Sequence, residues 1–230
     1  MGGIMLACGT SIPPAVLARA GLEQHRIVPV PARPGKSDVD AELAKAADGA
    51  SGPGAGVIVA GTDADLAAVA LRLLRRDRLG TVSVGYAPRG RSSCAALWGL
   101  PGGLEAALRL AASGQPQGVP LIRDDTGGVL VGTGTLHRIE GVAYCDDELV
   151  LRGRAHRIDV TPDTADGPGL AVTVRYRRFG GQRHTARSRA FDIGCEPTTP
   201  VLDGVARERT TERWTWYRHT EDLLLVRPSG

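Results

Sequence analysis

The sequence predicts an α/β domain with a parallel sheet over residues 1–117, followed by an antiparallel β-sandwich domain over residues 118–230. Three observations lead there. In the first half, short apolar runs alternate with helical patterns, as they do when helices cover both faces of a parallel sheet. From about Val119 the helical patterns stop, and short alternating strands separated by turn residues take over. The boundary between the two lies near Gly114–Gly118 (GQPQG). A chain of 230 residues has room for two domains of about 100 residues each, or for one large one.

Each element of the first half has a local reason. Residues 4–9 (IMLACG) are an apolar run short enough for a buried strand. Residues 13–23 open on proline, which suits a first helical turn because its missing N–H is not needed there. Residues 26–31 (RIVPVP) read as a strand ended by prolines. From Ser37 to Ala47 good helix formers follow a near capping box, with Asp40 three residues after Ser37. A Gly/Ser/Pro loop occupies residues 48–55, and VIVA at 57–60 is a buried strand. A helix from Asp65 to Arg76, a strand at 81–86 and a helix at 103–113 complete this half. In the second half the alternation is clearest at 171–177, with Val172, Val174 and Tyr176 on one face. The last strand is a candidate to return to the first domain.

Composition narrows the classes. Hydrophobic residues at 42% and charged residues at 23% describe a chain that buries a core, which excludes disorder of the whole. The net charge of +3 is too small to argue for nucleic acid. Cys8, Cys94, Cys145 and Cys195 are not spaced as zinc ligands, so reduced and mostly buried thiols are expected. The opening MGGIMLACGT has no basic region and no long apolar segment. No signal peptide and no membrane span are therefore expected, and a cytoplasmic location is.

Four stretches carry candidate chemistry. Gly35-Lys36-Ser37 lies between a strand and a helix, but a phosphate-binding P-loop would place its leading glycine at Val30. Prolines in the same stretch remove the N–H groups that would cradle a phosphate, which rejects it. Gly61-Thr62-Asp63-Ala64-Asp65 follows the VIVA strand and enters a helix, whose first N–H groups face whatever sits at the strand end. Its plainer reading is a helix cap on Asp63 or Asp65. Pro88-Arg89-Gly90-Arg91-Ser92-Ser93 presents two guanidiniums and two hydroxyls suited to phosphate oxygens, or else a solvated basic loop. Trp214, Trp216, Tyr217 and His219 in RWTWYRHT read as a buried aromatic face, or as a ligand platform or homodimer contact. The paired acids Asp124-Asp125 and Asp146-Asp147 read as structural turns. The arginines dense between Arg152 and Arg218 read as a solvated strand face, or as a surface for an anionic lipid or phosphorylated substrate.

The second and third of these stretches, in order and spacing, resemble the catalytic domain of the diacylglycerol kinase and sphingosine kinase family. That family carries G-G-D-G-T-x-N-E-V after a strand, matched by Gly61 to Val69. It then carries P-L-G-T-x-N-D-x-A-R-x-L-G-I-P, matched one residue shorter by Pro88 to Pro101. Residues 35–47 look like its G-D-A-x-x-L-A helix, and Asp203-Gly204 with 223–228 (LLLVRP) its late D-G-E and closing strand. The resemblance implies a lipid-kinase- and NAD-kinase-like fold and an ATP-dependent phosphotransferase using Mg²⁺. The acceptor would be a lipid or small-molecule hydroxyl. It carries Gly61, Asp63 and Gly90 over to the nucleotide site and Asp203 to the late acidic turn; the catalytic candidates are then Asp63 and Asp203, the nucleotide candidates Gly61, Thr62, Asp65, Arg89, Gly90, Arg91, Ser92 and Ser93, and no metal ligand is assigned.

This sequence departs from the motifs at chosen points. Thr62 and Ala64 replace two glycines, and a side chain there obstructs close approach of a triphosphate to the backbone. Asp65 replaces the threonine and adds negative charge, Ala67-Ala68 replaces N-E, and Val205 replaces the late glutamate. LACGTSIPP stands where the family has N-P-x-S-G. Two alternatives stay open: a relative that kept the fold as a binding or assembly protein, and an enzyme for a smaller phosphorylated ligand recruited by Arg89 and Arg91. The expected partners are a small-molecule or lipid substrate, with no nucleic acid, at most peripheral membrane contact, and a homodimer as one assembly.

Overall fold

The computed structural model describes residues 3–48, 55–165, 167–177 and 181–228. Most of the Gly/Ser/Pro loop at 48–55, and the segment 178–180 after the alternating strand, lie outside the described residues. The chain divides into two compact units, one running to Val119 and resuming at Glu221, the other spanning Pro120–Thr220.

The first unit comprises β1 (Ile4–Cys8), α1 (Pro14–Ala20), β2 (Arg26–Val30), α2 (Lys36–Asp48), β3 (Val57–Gly61) and α3 (Asp63–Arg75). It continues with β4 (Val84–Pro88), α4 (Ser93–Leu97), α5 (Leu104–Ser113) and β5 (Gln115–Val119). Its last strand, which we label β16 (Leu223–Arg227), comes from the chain end. The sheet order is β2-β1-β3-β4-β16-β5, parallel from β2 to β16, with β5 antiparallel at the edge. Every residue of β1, β3 and β4 is buried, which explains why their sequences are continuous apolar runs without alternation. On α3, Leu66, Val69, Ala70 and Leu73 recur at helical spacing and are fully buried. Burying a leucine of this kind contributes about 1.5–3 kcal/mol.

Three boundaries differ from the sequence reading. Helix α3 starts at Asp63, not Asp65, because Thr62 already caps it. Strand β4 is set by its register on β3, from Val57↔Val84 to Gly61↔Pro88. Residues 81–83 before it form a turn, in which the Ser83 hydroxyl accepts from the Gly56 amide. Gln115–Val119, where the sequence places the domain boundary, is itself a strand. Glycine and proline disguise it, but Pro116 sits on an edge strand, where a missing N–H is tolerated.

The helices are tied down by charge as well as packing. Arg72 of α3 grips Asp40 of α2 with two hydrogen bonds of 2.8 Å, both groups buried. Arg26 of β2 grips Glu42 of α2 at 2.6 and 3.0 Å. Among the described residues no helix is long and apolar enough to cross a membrane.

The second unit is one antiparallel sheet curled about a single core. Its strands are β6 (Ile122–Asp124), β7 (Val129–Leu130), β8 (Gly134–Cys145), β9 (Glu148–Pro162), β10 (Leu170–Arg175) and β11 (Arg183–Ser188). β12 (Ala190–Thr198), β13 (Val201–Leu202), β14 (Val205–Ala206) and β15 (Thr211–Arg218) follow. The main order is β11-β10-β9-β8-β12-β15-β6-β7, with the β13–β14 hairpin attached through β8. Inward residues from almost every strand meet around Phe191, Trp214 and Trp216. The two tryptophans, 3% and 0% exposed, pack edge to face at 5.8 Å and form core, while the Tyr217 and His219 rings of RWTWYRHT are half-buried. The paired acids are turn fasteners. Asp124 accepts from the amides of Thr126 and Gly128 and from Arg207, and Asp146 from the amides of Arg189 and Ala190.

Candidate functional site

Because β3 and β4 are adjacent and parallel, their carboxyl ends bring two strand-to-helix corners together. Gly61 to Asp65 make one corner, Pro88 to Ser93 the other. The Arg89 amide donates to the Gly61 carbonyl at 2.7 Å and continues the pairing past the strand ends. A third turn, Gly9 to Ile12, leaves the end of β1, the other neighbour of β3.

The first corner is closed on itself. Thr62 and Asp65 form a capping box: the Asp65 amide donates to the Thr62 hydroxyl, and the Asp65 carboxylate accepts from the Thr62 amide and hydroxyl. The other Asp65 oxygen accepts from the Arg33 amide at 2.6 Å, which fastens the loop after β2. Asp65 is 2% exposed, and it lies directly over Gly61. A Cβ at Gly61 would meet an Asp65 carboxylate oxygen at 2.5 Å, so this position takes glycine.

Asp63, 8% exposed, also points inward. One of its oxygens accepts from the Tyr86 and Ser92 hydroxyls, the other from the Ser93 hydroxyl and amide and the Cys94 amide. One carboxylate thus locks the second corner onto the first and caps α4, where the Ser92 hydroxyl also accepts from the Ala95 amide. Burial and the neighbouring Asp63 charge push the Tyr86 phenol far up, so it stays a donor. Burial, and then the Asp65 charge, push the Cys8 thiol up to about 12, which leaves it protonated and unreactive at neutral pH.

The second corner is open. Arg89, Gly90 and Arg91 are exposed, and Gly90 has φ of +85°, which a glycine adopts freely. Arg89 donates one hydrogen bond to the Gly9 carbonyl at 3.0 Å, which bridges the β4 and β1 corners. Among the described residues no carboxylate pairs with Arg89 or Arg91.

Between these turns lies a cleft of ≈ 220 Å³. Thr10, Ser11 and Ile12 line one side, Ala60 and Gly61 the floor, and Ala87 to Gly90 the other side. Gly102 and Leu104 close it at the start of α5, whose N-cap residue Gly103 supplies no side-chain cap. A ligand pocket for a drug-sized molecule is ordinarily about 300–1,000 Å³, and this smaller cleft has room for a phosphate-sized to sugar-sized group. None of its lining residues is a carboxylate.

Of the ten site residues drawn from the sequence, nine stand at these two corners: Gly61, Thr62, Asp63, Asp65, Arg89, Gly90, Arg91, Ser92 and Ser93. Asp203 belongs to the other unit. It occupies the β13–β14 hairpin turn, with φ of +48° at Asp203 and +84° at Gly204. Its carboxylate accepts from the amides of Val131, Gly132 and Thr133 at 3.0, 2.7 and 3.1 Å. Thr10, Ser11 and the Gly102-Gly103 pair were outside the sequence-derived set. The signals for them were a turn at the end of the first apolar run and a glycine pair just before a helix.

No protein-family model and no curated protein sequence matches the chain. Solved structures do. A putative diacylglycerol kinase from Bacillus anthracis superposes with a TM-score of 0.70 at 12% identity, over 99% of this chain and 96% of that one. A further diacylglycerol kinase structure from the same organism gives 0.68 at 12%, over 99% and 97%. An NAD kinase from Archaeoglobus fulgidus in complex with ATP gives 0.56 at 11% identity, over 97% and 93%. The fold is therefore that of the diacylglycerol kinases and NAD kinases, in both of its units.

Proposed function

On the kinase-type scaffold that this chain shares, we propose that it is a cytoplasmic ATP-dependent phosphotransferase acting on a lipid or small-molecule hydroxyl. One observation carries the reading: the open cleft at the ends of β1, β3 and β4, rimmed by Arg89 and lined by the hydroxyls of Thr10 and Ser11. The NAD kinase of the same fold, solved in complex with ATP, supports nucleotide as the donor. Phosphoryl transfer depends on placement and charge neutralisation more than on covalent chemistry, so arginines and close backbone approach suffice to hold the donor. Gly90, with open space beside its backbone, gives that approach, and Arg89 and Arg91 the positive charge.

In this reading Asp63 and Asp65 are positioning residues, and Asp203 fastens the hairpin of its own unit. Asp63 holds the Ser92-Ser93 turn, and through it the arginine loop, by the hydrogen bonds already described. No step is drawn through Mg²⁺, for which the cleft lining offers no carboxylate.

The inward set of Asp63 and Asp65 favours a second reading, a binding or assembly protein that keeps the fold and has lost the cofactor site. Thermal unfolding with ATP, paired with an ADP-release assay on diacylglycerol micelles and polyols, separates the two. Saturating ATP at about 100-fold over Kd should stabilise the protein by about 2.7 kcal/mol. Stabilisation with ADP release that depends on an acceptor supports the phosphotransferase. No response to any nucleotide sinks the phosphotransferase and supports the binding or assembly protein, and stabilisation without turnover sinks the transfer step alone.

A further inference from the structure

We infer that the cleft takes the phosphate of its ligand as a free anion, neutralised by Arg89 and Arg91, and not as a magnesium chelate. This rests on the reading of the cleft as a phosphate site, and it departs from the Mg²⁺ that the family resemblance implies. Mg²⁺ in nucleotide sites is held by one or two protein carboxylates together with phosphate oxygens and water. Here the lining contributes hydroxyls, glycines and an arginine, and no carboxylate. Among the described residues no group of three His, Cys, Asp or Glu could hold a metal ion.

The two nearby aspartates are committed elsewhere. Asp63 already receives five donors and Asp65 three. Turning either toward a cation would strand buried N–H and O–H groups, the costliest way to lose a hydrogen bond. The cations have the opposite character. A guanidinium carries five N–H donors, and Arg89 uses one of them on Gly9. Arg91, two residues along the same loop, is exposed. Their planar forks match phosphate oxygens and retain their charge at every working pH.

The test is calorimetric titration of the protein with ATP and with inorganic pyrophosphate, each in excess EDTA and in excess Mg²⁺. Binding of both probes in EDTA should be at least as tight as in Mg²⁺. Arg91→Ala should weaken it by about tenfold or more, the loss expected for a charge-assisted hydrogen bond. Arg89→Lys, which keeps the charge and loses the fork, should weaken it less. The inference falls if binding requires Mg²⁺, or if it survives Arg91→Ala combined with Arg89→Ala at full strength. ATP binding that requires Mg²⁺ would leave the phosphotransferase reading standing, whereas no binding of either probe in either condition would remove both.

Discussion

The two corners at the end of the α/β sheet use their polar groups in opposite ways. At Gly61–Asp65 the carboxylates of Asp63 and Asp65 are buried and accept eight hydrogen bonds between them. At Pro88–Ser93, one strand away, Arg89 and Arg91 stand exposed, without a carboxylate partner among the described residues. The comparison teaches that a motif position and a binding role are separable. The aspartate that matches the kinase motif serves the framework, and the charges left over for a ligand belong to the loop beside it. Substitutions at the closed corner should therefore cost stability first, and those at the open corner binding alone.

Asp63→Ala should have the largest effect. It strands the Ser93 and Cys94 amides and leaves the Tyr86 hydroxyl only its longer bond to the Gly61 carbonyl, and unsatisfied buried donors cost about 1–3 kcal/mol each. A loss of about 3–5 kcal/mol in urea unfolding is expected; an unchanged midpoint would break the contrast between the corners. Asp40→Asn, away from both corners, should cost about 2–3 kcal/mol by leaving buried Arg72 without its counter-charge. The Arg72 hydrogen bond holds the Asp40 carboxyl below the usual carboxylate range. A folded pKa below the unfolded one gives stability that is present above the unfolded value and lost as pH falls through the folded one. The variant should accordingly lose part of the acid-side slope of stability against pH, read by denaturation between neutral and acid pH.

Gly61→Ala should cost about 1–2 kcal/mol, because its Cβ displaces Asp65 and breaks the capping box. Circular dichroism melting reads it, and an unchanged melt would show that the corner has slack. Asp203→Ala should cost a similar amount through the Val131–Thr133 amides while leaving ATP affinity untouched; lost affinity at full stability would restore it to the reacting groups. The smallest effect on stability should come from Arg91→Ala, within about 0.5 kcal/mol, as for an exposed side chain without a structural partner. A larger destabilisation would place Arg91 in the framework and remove the distinction.

Much of this was legible in the chain. The apolar runs of β1 and β3, the alternation at Val172 and Val174, and the Thr62 and Asp65 spacing each report on contacts within a few residues. The register and the partners of charged side chains were not. Asp63 reads as a ligand-facing acid until the structure sets Ser92, Ser93 and Cys94 beside it, about 30 residues further on. Gln115–Val119 reads only as a domain boundary until Leu223–Arg227 arrives to pair with it. The site was half legible for the same reason: its glycines and arginines carry local signals, and the direction in which an aspartate turns does not.

By itself, then, the amino-acid sequence determined where strands and helices form, which faces are apolar, and that the two halves follow different periodicities. Those properties depend on backbone geometry and neighbours along the chain. Tertiary structure alone decided which strands lie side by side, which carboxylates are consumed as caps, and which cations remain for a ligand. A hydrogen bond or an ion pair depends on two groups meeting in space, and for groups far apart in the chain that meeting is set by the packing of the whole unit.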